Sequence, residues 1–332
     1  MRNKVILLIL AALSVGIVLL APLSGTMDIG LRELLSDSDD ADMQKTVFWK
    51  IRVPRVLLAY LAGLGLSVCG MVFQAIFRNA LATPFTLGVA SGASLGTAIA
   101  MILGIPPLLG FSSTSIFAFV GALATILIVF GIARLRGSFS NTTLILTGVA
   151  ISYFFSSLIL LLQYLGDQHN VIKILRWIMG GLNVWGYGPC VNVFPFVAIG
   201  GLLIFFYTHH LNLLATGDDI ATSRGIDVSR SRKILFLVTS LVVGGIVAEC
   251  GPIGFVGLMC PHIARLLVGA DHRYLVPATM LFGGFFLTAC DTLSGSLPIG
   301  YQLPVGILTS IMGGPFFLWL LLKRKREYAE FG

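Results

Sequence analysis

The sequence predicts an all-α polytopic membrane protein that crosses the bilayer about ten times, and three observations support this prediction. Hydrophobic residues make up 56% of the 332 residues, charged residues only 11%, and the mean hydropathy is +0.93. A soluble domain carries roughly 25% charged residues, so the deficit is too large for a surface exposed to water. Apolar windows of about 20 residues, the length that spans a bilayer, recur along the whole chain. Lys and Arg are unevenly divided between the segments that connect these windows.

Ten windows are apolar enough to be interpreted as spans. In chain order they lie near residues 5–23, 51–77, 85–109, 114–133, 144–165, 191–208, 234–250, 253–268, 274–293 and 303–322. The first follows Arg2 and Lys4 as in a signal peptide, but its apolar run is longer than most signal sequences have and further spans follow, so we interpret it as a retained helix. The eighth is short and is expected to be tilted, half-inserted or broken. Little chain remains outside the windows, so residues 1–332 are predicted to form a single transmembrane domain.

Small residues recur on the second and third spans with the spacing of one helix face. Ala59, Gly63 and Ser67 are four residues apart, and three glycines between 88 and 96 repeat this spacing. Such rows let helices approach closely in lipid, where no hydrophobic force drives association, so we interpret both as packing surfaces. Clusters of Gly and Pro occur later in the chain, at 251–254, 297–300 and 313–315. They predict helix breaks beside an internal cavity or hinge, since lipid cannot satisfy freed backbone groups.

The distribution of positive charge predicts the orientation. With the N-terminus in the cytoplasm and ten alternating helices, 15 of the 22 Lys and Arg residues fall in cytoplasmic segments. This bias obeys the positive-inside rule and places both termini in the cytoplasm. The net charge of +7 therefore reflects topology and does not indicate nucleic-acid binding.

The longest polar segment on the cytoplasmic side, residues 211–233, predicts a short helix, a turn and the start of the seventh span. Thr216 or Asp218 is expected to cap this short helix. Gly225 is expected to end it in a left-handed conformation, and Asp227 to cap the next helix. The segment is either a solvated connector or a docking element for a cytoplasmic motor, because a capped helix held between two spans can transmit force.

Several charged or titratable residues stand at unusual places. Arg52 and Arg55, at the outer start of the second span, are either snorkelling anchors or receptors for carboxylates of an external partner, since guanidinium groups bind carboxylates bidentately. Asp291 and Glu249 lie in or at the edge of spans, where acids are costly and point to function. A helix-end acid bonded to backbone N–H groups is the plainer interpretation. His262 has two interpretations: it is a proton relay or ligand, or it makes a structural hydrogen bond.

Sequence motifs for covalent chemistry are absent. The chain contains no H-E-x-x-H, G-x-S-x-G or D-D-x-x-D motif, which argues against an intramembrane protease or a lipid-modifying enzyme. The five scattered Cys residues have no C-x-x-C spacing, so we interpret them as free thiols. A secondary transporter would need acids or His deep in several spans, whereas Arg78 is the only charged residue between Arg55 and Arg134. A channel or structural membrane protein is the remaining alternative.

Five motifs occur in order along the chain. Residues 51–92 contain R-x-P-R and Q-x(3)-RN-x-LA-x-P, and residues 251–321 contain GFVGL-x-x-PH-x-x-R, DHR and LPVGI-x-T. In identity and spacing they resemble the FecCD-type (cobalamin-permease-like) subunits of binding-protein-dependent ABC importers. The resemblance covers about residue 45 to residue 325, which is nearly the whole chain.

This resemblance implies the type II ABC importer permease fold, with ten helices per subunit. It implies a second permease subunit around a central path, with a homodimer expected and a non-identical pair left open. It also implies one extracytoplasmic binding protein and two cytoplasmic ATPase subunits, which bind ATP and Mg²⁺. The lack of G-x-x-x-x-G-K-[ST] in this chain agrees with a separate ATPase. The chain would then carry no cofactor, lie in a bacterial or archaeal cytoplasmic membrane, and import an iron siderophore or haem, with cobalamin as the alternative.

The resemblance also assigns roles to particular residues. Loop 211–233 would be the coupling element seated in the ATPase, and its core comprises Gly217, Asp218, Asp219, Ala221, Arg224 and Gly225. Arg52 and Arg55 match outer arginines that receive acidic residues of the binding protein. The fifth and tenth spans would line the path. The expected gate and path residues are Asn141, Thr142, Ser152 and Ser156.

The chain departs from the family pattern at several positions. Gly295 stands where an Arg is usual and Gln302 where a Glu is usual, so the docking patch is expected to depend more on the two outer arginines. Ala80 replaces a Pro. Arg224 replaces an apolar residue, which is expected to tune the choice of ATPase. Glu249 also replaces an apolar residue, and the sequence assigns it no role.

Overall fold

The computed structural model describes residues 1–24, 39–108, 112–135, 141–296 and 303–329 and is built from helices. The α-helices in these residues are, in chain order, α1 Arg2–Leu20, α2 Asp39–Val47, α3 Val53–Phe77, α4 Val89–Ile102, α5 Ser113–Leu135, α6 Asn141–Leu165, α7 Gln168–Ile178, α8 Gly188–Phe206, α9 Thr208–Thr216, α10 Asp218–Ser223, α11 Val228–Cys250, α12 Val256–Val268, α13 His272–Ser296 and α14 Val305–Ala329. Short helical turns of other types join some of them.

The predicted all-α membrane fold is confirmed. In the described part of the chain, seven helices are long and apolar enough to cross a membrane, and three shorter apolar helices accompany them. The shorter ones are α4, α12 and the segment Val305–Leu320 of α14. Each of the ten corresponds to one predicted window. The short eighth span is also confirmed, because the 13 residues of α12 rise only about 20 Å, less than the roughly 30 Å hydrocarbon core.

Helix α3 lies at the centre of the bundle and packs against α8, α11, α12 and α13. Nearly all of its residues from Ala62 onward are buried, as expected for a helix that is apolar on all sides. Two glycines set the packing distance: a Cβ at Gly63 would collide with the carbonyl of Gly283, and one at Gly70 with the carbonyl of Gly257. The row of small residues on the second span is therefore a packing surface, as predicted.

The glycine row of the third span has the same function between α4 and α5. A Cβ at Gly92 would collide with the Thr125 side chain and approach the carbonyl of Gly121, and one at Gly96 would collide with the carbonyl of Phe117. The backbones of α4 and α5 thus lie in direct contact, which is how helices associate in lipid without a hydrophobic driving force.

The Gly-Pro clusters differ in their structures. The cluster at 251–254 forms a break between α11 and α12, as predicted. The break predicted at 313–315 is wrong, because α14 continues through Pro315. Proline removes only one donor from the helix ladder and neighbouring helices can support the site; here the absent side chain of Gly313 makes room for the ring of Phe255. The cluster at 297–300 lies outside the described residues.

Two helices near the predicted outer surface have no counterpart among the predicted windows. Helix α2 continues through a π-helical turn, Phe48–Arg52, into α3. Helix α7 is capped by Asp167, which accepts a hydrogen bond from the backbone N–H of Asn170 at 3.2 Å, and it buries Ile174 beside α4 and α6. A scan for windows of about 20 apolar residues cannot detect such short amphipathic helices.

Hydrogen bonds at the two ends of the bundle agree with alternating helices. Asn3 Nδ2 donates to the carbonyl of Val268 at 2.9 Å, which places the start of α1 beside the end of α12. At the opposite end, Arg52 Nη1 donates to the carbonyl of Pro22 at 3.2 Å, which joins the end of the first span to the start of the second. The first end is the one that the charge distribution assigns to the cytoplasm.

Candidate functional site

Helix α10, the predicted coupling helix, lies at the predicted cytoplasmic end between two glycines with positive φ. Gly217 precedes it with φ +142° and Gly225 follows it with φ +83°, so the predicted left-handed ending at Gly225 is confirmed. The predicted cap by Thr216 or Asp218 is wrong, since Gly217 occupies the N-cap without a side-chain hydrogen bond. Thr216 Oγ1 instead donates to the carbonyl of Leu213 at 2.8 Å.

The Asp218 carboxylate is bound by two arginines from neighbouring helices. Arg232 of α11 donates to both of its oxygens, at 2.7 and 3.0 Å. Arg78, the residue that ends α3, places Nη2 at 3.4 Å from Oδ1. A guanidinium fork that contacts both carboxylate oxygens is a stronger partner than one backbone N–H, which explains why Asp218 does not cap its own helix.

The same arginine also binds the backbone of α3. Arg232 Nε donates to the carbonyl of Ile76 at 3.3 Å, and its side chain is only 12% exposed. One buried guanidinium therefore connects α3, α10 and α11. Sequence reasoning missed this role, because the charge pattern shows Arg232 only as one of several cations in the loop.

Two features hold α10 in place: buried side chains on and after the helix, and a cap at the start of the helix that follows it. Ala221 is fully buried, and Ile226, just after the helix, is also buried. Asp227 Oδ1 accepts a hydrogen bond from the backbone N–H of Arg230 at 2.9 Å, so the predicted cap of the following helix is confirmed. Asp219 and Arg224 are exposed. The predicted coupling residues thus divide into a buried set that holds α10 and an exposed set that is available to a partner.

A second polar cluster at this end joins α9 to α13. Asn212 Nδ2 donates to Asp271 Oδ1 at 2.9 Å, and the backbone N–H of His272 donates to Asn212 Oδ1 at 2.8 Å. The backbone N–H of Arg273 and the Asn212 amide both donate to Asp271 and hold the pKa of its carboxyl below its usual range. No local pattern in the sequence indicates this cluster, because its members are about 60 residues apart.

At the opposite end, the two arginines proposed for docking have different surroundings. Arg55 forms a bidentate pair with Asp291 of α13, with distances of 2.7 and 2.8 Å. The side chains are 14% and 6% exposed, so this guanidinium is engaged within the subunit. Arg52 bonds to backbone carbonyls before the first outer loop and remains half-buried. The interpretation of Asp291 as an acid bonded to backbone N–H groups is therefore wrong.

The other two unusual residues have modest contacts. Glu249 Oε1 accepts a hydrogen bond from Asn192 Nδ2 at 3.0 Å. The ring of His262 meets that of Phe316 edge to face, with centroids 6.2 Å apart.

The predicted gate and path residues all lie on α6. Asn141 and Thr142 begin this helix, and their side chains lie outside what the structure describes. Ser152 is half-buried and faces Gly88, where a Cβ would lie 3.1 Å from its Oγ. Ser156, one turn further, is exposed. The exposed face of α6 also carries Tyr153 and Tyr164, which are 74% and 87% exposed.

Comparison with known proteins gives consistent matches across the chain. The haemin transport system permease protein of Yersinia pestis is 36% identical over 305 residues, which are 91% of this chain and 91% of that protein. The cobalamin import system permease protein of Halobacterium salinarum is 36% identical over 275 residues, 83% of this chain and 73% of that protein.

A solved structure supports the same relationship. It is described as an inward-facing conformation of a metal-chelate type ABC transporter, and it matches with a TM-score of 0.84 at 30% identity, covering 97% of this chain and 99% of that one. The FecCD transport family matches residues 5–323. Together with the helical membrane fold, these matches show that the chain belongs to the FecCD transport family of ABC importer permeases.

Proposed function

We propose that this permease moves a bulky metal chelate, an iron siderophore or haem, into the cytoplasm by ATP-driven alternating access. The observation that carries the proposal is the attachment of α10 to the transmembrane bundle through Asp218, Arg232 and Arg78. A solvated connector would not need a partly buried bidentate ion pair at its first residue. A helix that receives force from a motor does need such an attachment.

The geometry suggests how movement passes through the subunit. Two ATPase subunits bind ATP and Mg²⁺ and close on each other, and the exposed side of α10, which carries Asp219 and Arg224, moves with them. The Asp218–Arg232 pair transfers this displacement to α11, and the bond from Arg232 to the Ile76 carbonyl transfers it to α3. Because α3 packs against four other helices of the bundle, the subunit tilts as a unit instead of deforming locally.

The remaining partners fit particular surfaces. A second copy of the chain is proposed to face the exposed apolar surfaces of α6 and α14, on which Leu160 and Leu318 are each 65% exposed. The binding protein is proposed to dock at the opposite end from α10. There Arg52 is the better candidate for contact, since Asp291 already engages Arg55.

The names of the relatives support the proposed cargo class. Those at 30–36% identity include permease proteins named for haemin in Yersinia pestis and for Fe(3+)-citrate and iron(3+)-hydroxamate in Bacillus subtilis. These cargoes share a chelated metal ion and a bulk that a narrow ion path could not pass. A cobalamin permease is the second candidate, because the Halobacterium salinarum relative is named for that function.

Uptake measurements test the proposal. A strain that lacks this chain is compared with the complemented strain for uptake of labelled ferric siderophore, haem and cobalamin. Loss of iron-chelate uptake alone supports the proposed cargo, whereas loss of cobalamin uptake alone keeps the mechanism and replaces the cargo. Loss of none contradicts the cargo class and favours an oxyanion. Uptake that continues without ATP, or purification without an ATPase, would favour a secondary transporter.

A further inference from the structure

A cavity of about 610 Å³ lies between α5, α8 and α11, close to the end of the bundle predicted to face outside. Its volume falls within the roughly 300–1,000 Å³ of typical ligand pockets. None of the residues assigned to coupling, docking or the path lines it. The transport mechanism therefore leaves this cavity without a role.

Three polar side chains lie at the outer level of this largely apolar cavity. Ser115 is the third residue of α5, Asn192 the fifth of α8 and Glu249 the last but one of α11. All three lie within about one and a half turns of the outer ends of their helices. At this depth a membrane protein meets the lipid head groups.

One helical turn deeper, the same three helices are apolar. Phe119, Phe196 and Gly245 each lie four residues further into the membrane, which is about 6 Å along a helix. The two rings pack with centroids 5.3 Å apart. Gly245 makes room for them, because a Cβ there would lie 2.6 Å from the ring of Phe196. The polar side chains of the cavity thus lie at its outer level and the aromatic side chains lie deeper, in the same order as the head group and the chains of a phospholipid.

The cavity opens sideways, towards the lipid. Val120 and Val191 at its rim are 55% and 65% exposed. The helix surfaces beyond the rim are also apolar and exposed, with Leu127 at 63% and Ile199 at 61%. An amphipathic molecule of the bilayer can enter from this side without crossing the bundle.

The charge of the cavity selects the head group. Glu249 is the one charged residue among the described residues that line it, and no Lys or Arg in the described part of the chain lies within ion-pairing distance of its carboxylate. Asn192 orients the carboxylate with a hydrogen bond of 3.0 Å. An acid at the membrane edge is costly without a cationic partner. A head group with a primary ammonium supplies one, and a head group that is only anionic does not.

We propose that this cavity binds an outer-leaflet phospholipid whose head group carries a primary ammonium, with the ammonium on Glu249 and one acyl chain over the Phe119–Phe196 floor. The site adds a lipid-binding function to the permease.

Native mass spectrometry of the purified full-length chain tests the proposal. Phosphatidylethanolamine and phosphatidylglycerol with identical acyl chains are added separately to the delipidated protein. The unmodified chain is expected to retain the ethanolamine lipid at least about tenfold better, a difference of about 1.4 kcal/mol. Glu249→Gln should abolish the preference, and Glu249→Asp, which keeps the charge, should preserve most of it. Asp42→Asn removes an exposed outer carboxylate elsewhere and should change nothing.

A second pair of variants tests the cavity itself. Val120→Trp is expected to block the rim and lower retention of the ethanolamine lipid, whereas Leu127→Trp, two turns along the same exposed face, should leave it unchanged. Equal retention of both lipids by the unmodified chain, or an unchanged preference in Glu249→Gln, would overturn the proposal. Loss of a dimer in Val120→Trp without loss of lipid would identify the cavity as a subunit interface and would also overturn it. Elution profile and melting temperature confirm that each variant is folded.

Discussion

Arg232 donates two hydrogen bonds to the Asp218 carboxylate, and its third side-chain nitrogen donates one to the carbonyl of Ile76. The ion pair is half shielded from solvent, with Arg232 12% and Asp218 40% exposed. A fully exposed ion pair stabilises by only about 0–1 kcal/mol, but a shielded bidentate pair is stronger and has a fixed direction. Helix α10 is therefore attached to both α3 and α11 through one guanidinium group.

Replacing Asp218 by Asn is expected to uncouple ATP hydrolysis from transport. The change removes charged hydrogen bonds, each contributing about 1.5–3 kcal/mol, and leaves Arg232 without its carboxylate partner. In the complete transporter reconstituted in liposomes, the number of chelate molecules imported per ATP should fall while hydrolysis continues. Arg232→Lys keeps the charge but loses the planar fork, so its effect should be intermediate.

Asp219→Asn is the matched control for this attachment. It removes the same charge from the next residue, which is exposed. In the permease without its ATPase, hydrogen exchange of the α10 backbone should accelerate in Asp218→Asn and not in Asp219→Asn. Similar exchange in both variants would contradict an attachment through Asp218.

The effect of a proline in α10 on coupled uptake should depend sharply on its position in the helix. Ile220 is the third residue of the helix, where a backbone N–H has no partner inside the helix, so Ile220→Pro should largely retain coupled uptake. Thr222 is one turn after Asp218 and exposed, and Pro there would remove a helix bond and clash with the Asp218 carbonyl, at a cost of about 3 kcal/mol. Coupled uptake should therefore fail in Thr222→Pro alone. Equal loss in both variants would mean that the position of the break does not matter.

The fold could be predicted from the sequence because its signal is local. Ten apolar windows, the rows of small residues in α3 and α4, the left-handed Gly225 and the Asp227 cap all depend on residues within a few turns of each other. The amphipathic α7 escaped the prediction because it has only 11 residues. Pro315 was misleading because tertiary packing decides whether a proline breaks a helix.

The contacts of the candidate site could not be predicted, because they join residues far apart in the chain. Arg55 and Asp291 are separated by 236 positions, and no periodicity links them. Each stands out as an unusual charge, but their pairing depends on how α3 packs against α13. Asp218 and Arg232 are only 14 positions apart, yet a turn lies between them, so helix spacing does not indicate that they meet.

The Arg55–Asp291 pair is expected to determine stability and not only docking. Removing one partner of a buried ion pair leaves an uncompensated charge and costs about 3–5 kcal/mol. Asp291→Asn and Arg55→Gln should therefore each lower the melting temperature of the detergent-solubilised permease markedly. The double variant Arg55→Met with Asp291→Leu removes both charges and should recover much of the loss. Additive losses in the double variant would show that the two side chains are not coupled.

At the same end of the bundle, a variant of Arg52 is expected to change docking without a large change in stability. Arg52→Glu is expected to weaken binding of the extracytoplasmic binding protein, and the effect should shrink at high salt because salt screens the attraction between charges that meet from two separate surfaces. The melting temperature should change far less than in Asp291→Asn. Unchanged affinity at low salt would contradict a docking role for Arg52. A comparable fall in melting temperature would indicate a structural role instead.

The close contact between α3 and α12 predicts that two Gly→Ala variants differ strongly in melting temperature. At Gly70 a Cβ would collide with the backbone of Gly257, which cannot rotate away as a side chain can. Overpacking of this kind costs about 1–3 kcal/mol or more, so Gly70→Ala should lower the melting temperature and separate α12 from α3. A Cβ added at Gly131 of α5 would have nothing within 4 Å, and Ala favours helix by about 1 kcal/mol over Gly, so Gly131→Ala should be neutral or stabilising. If both variants melted like the unmodified chain, Gly70 would not set the distance between α3 and α12.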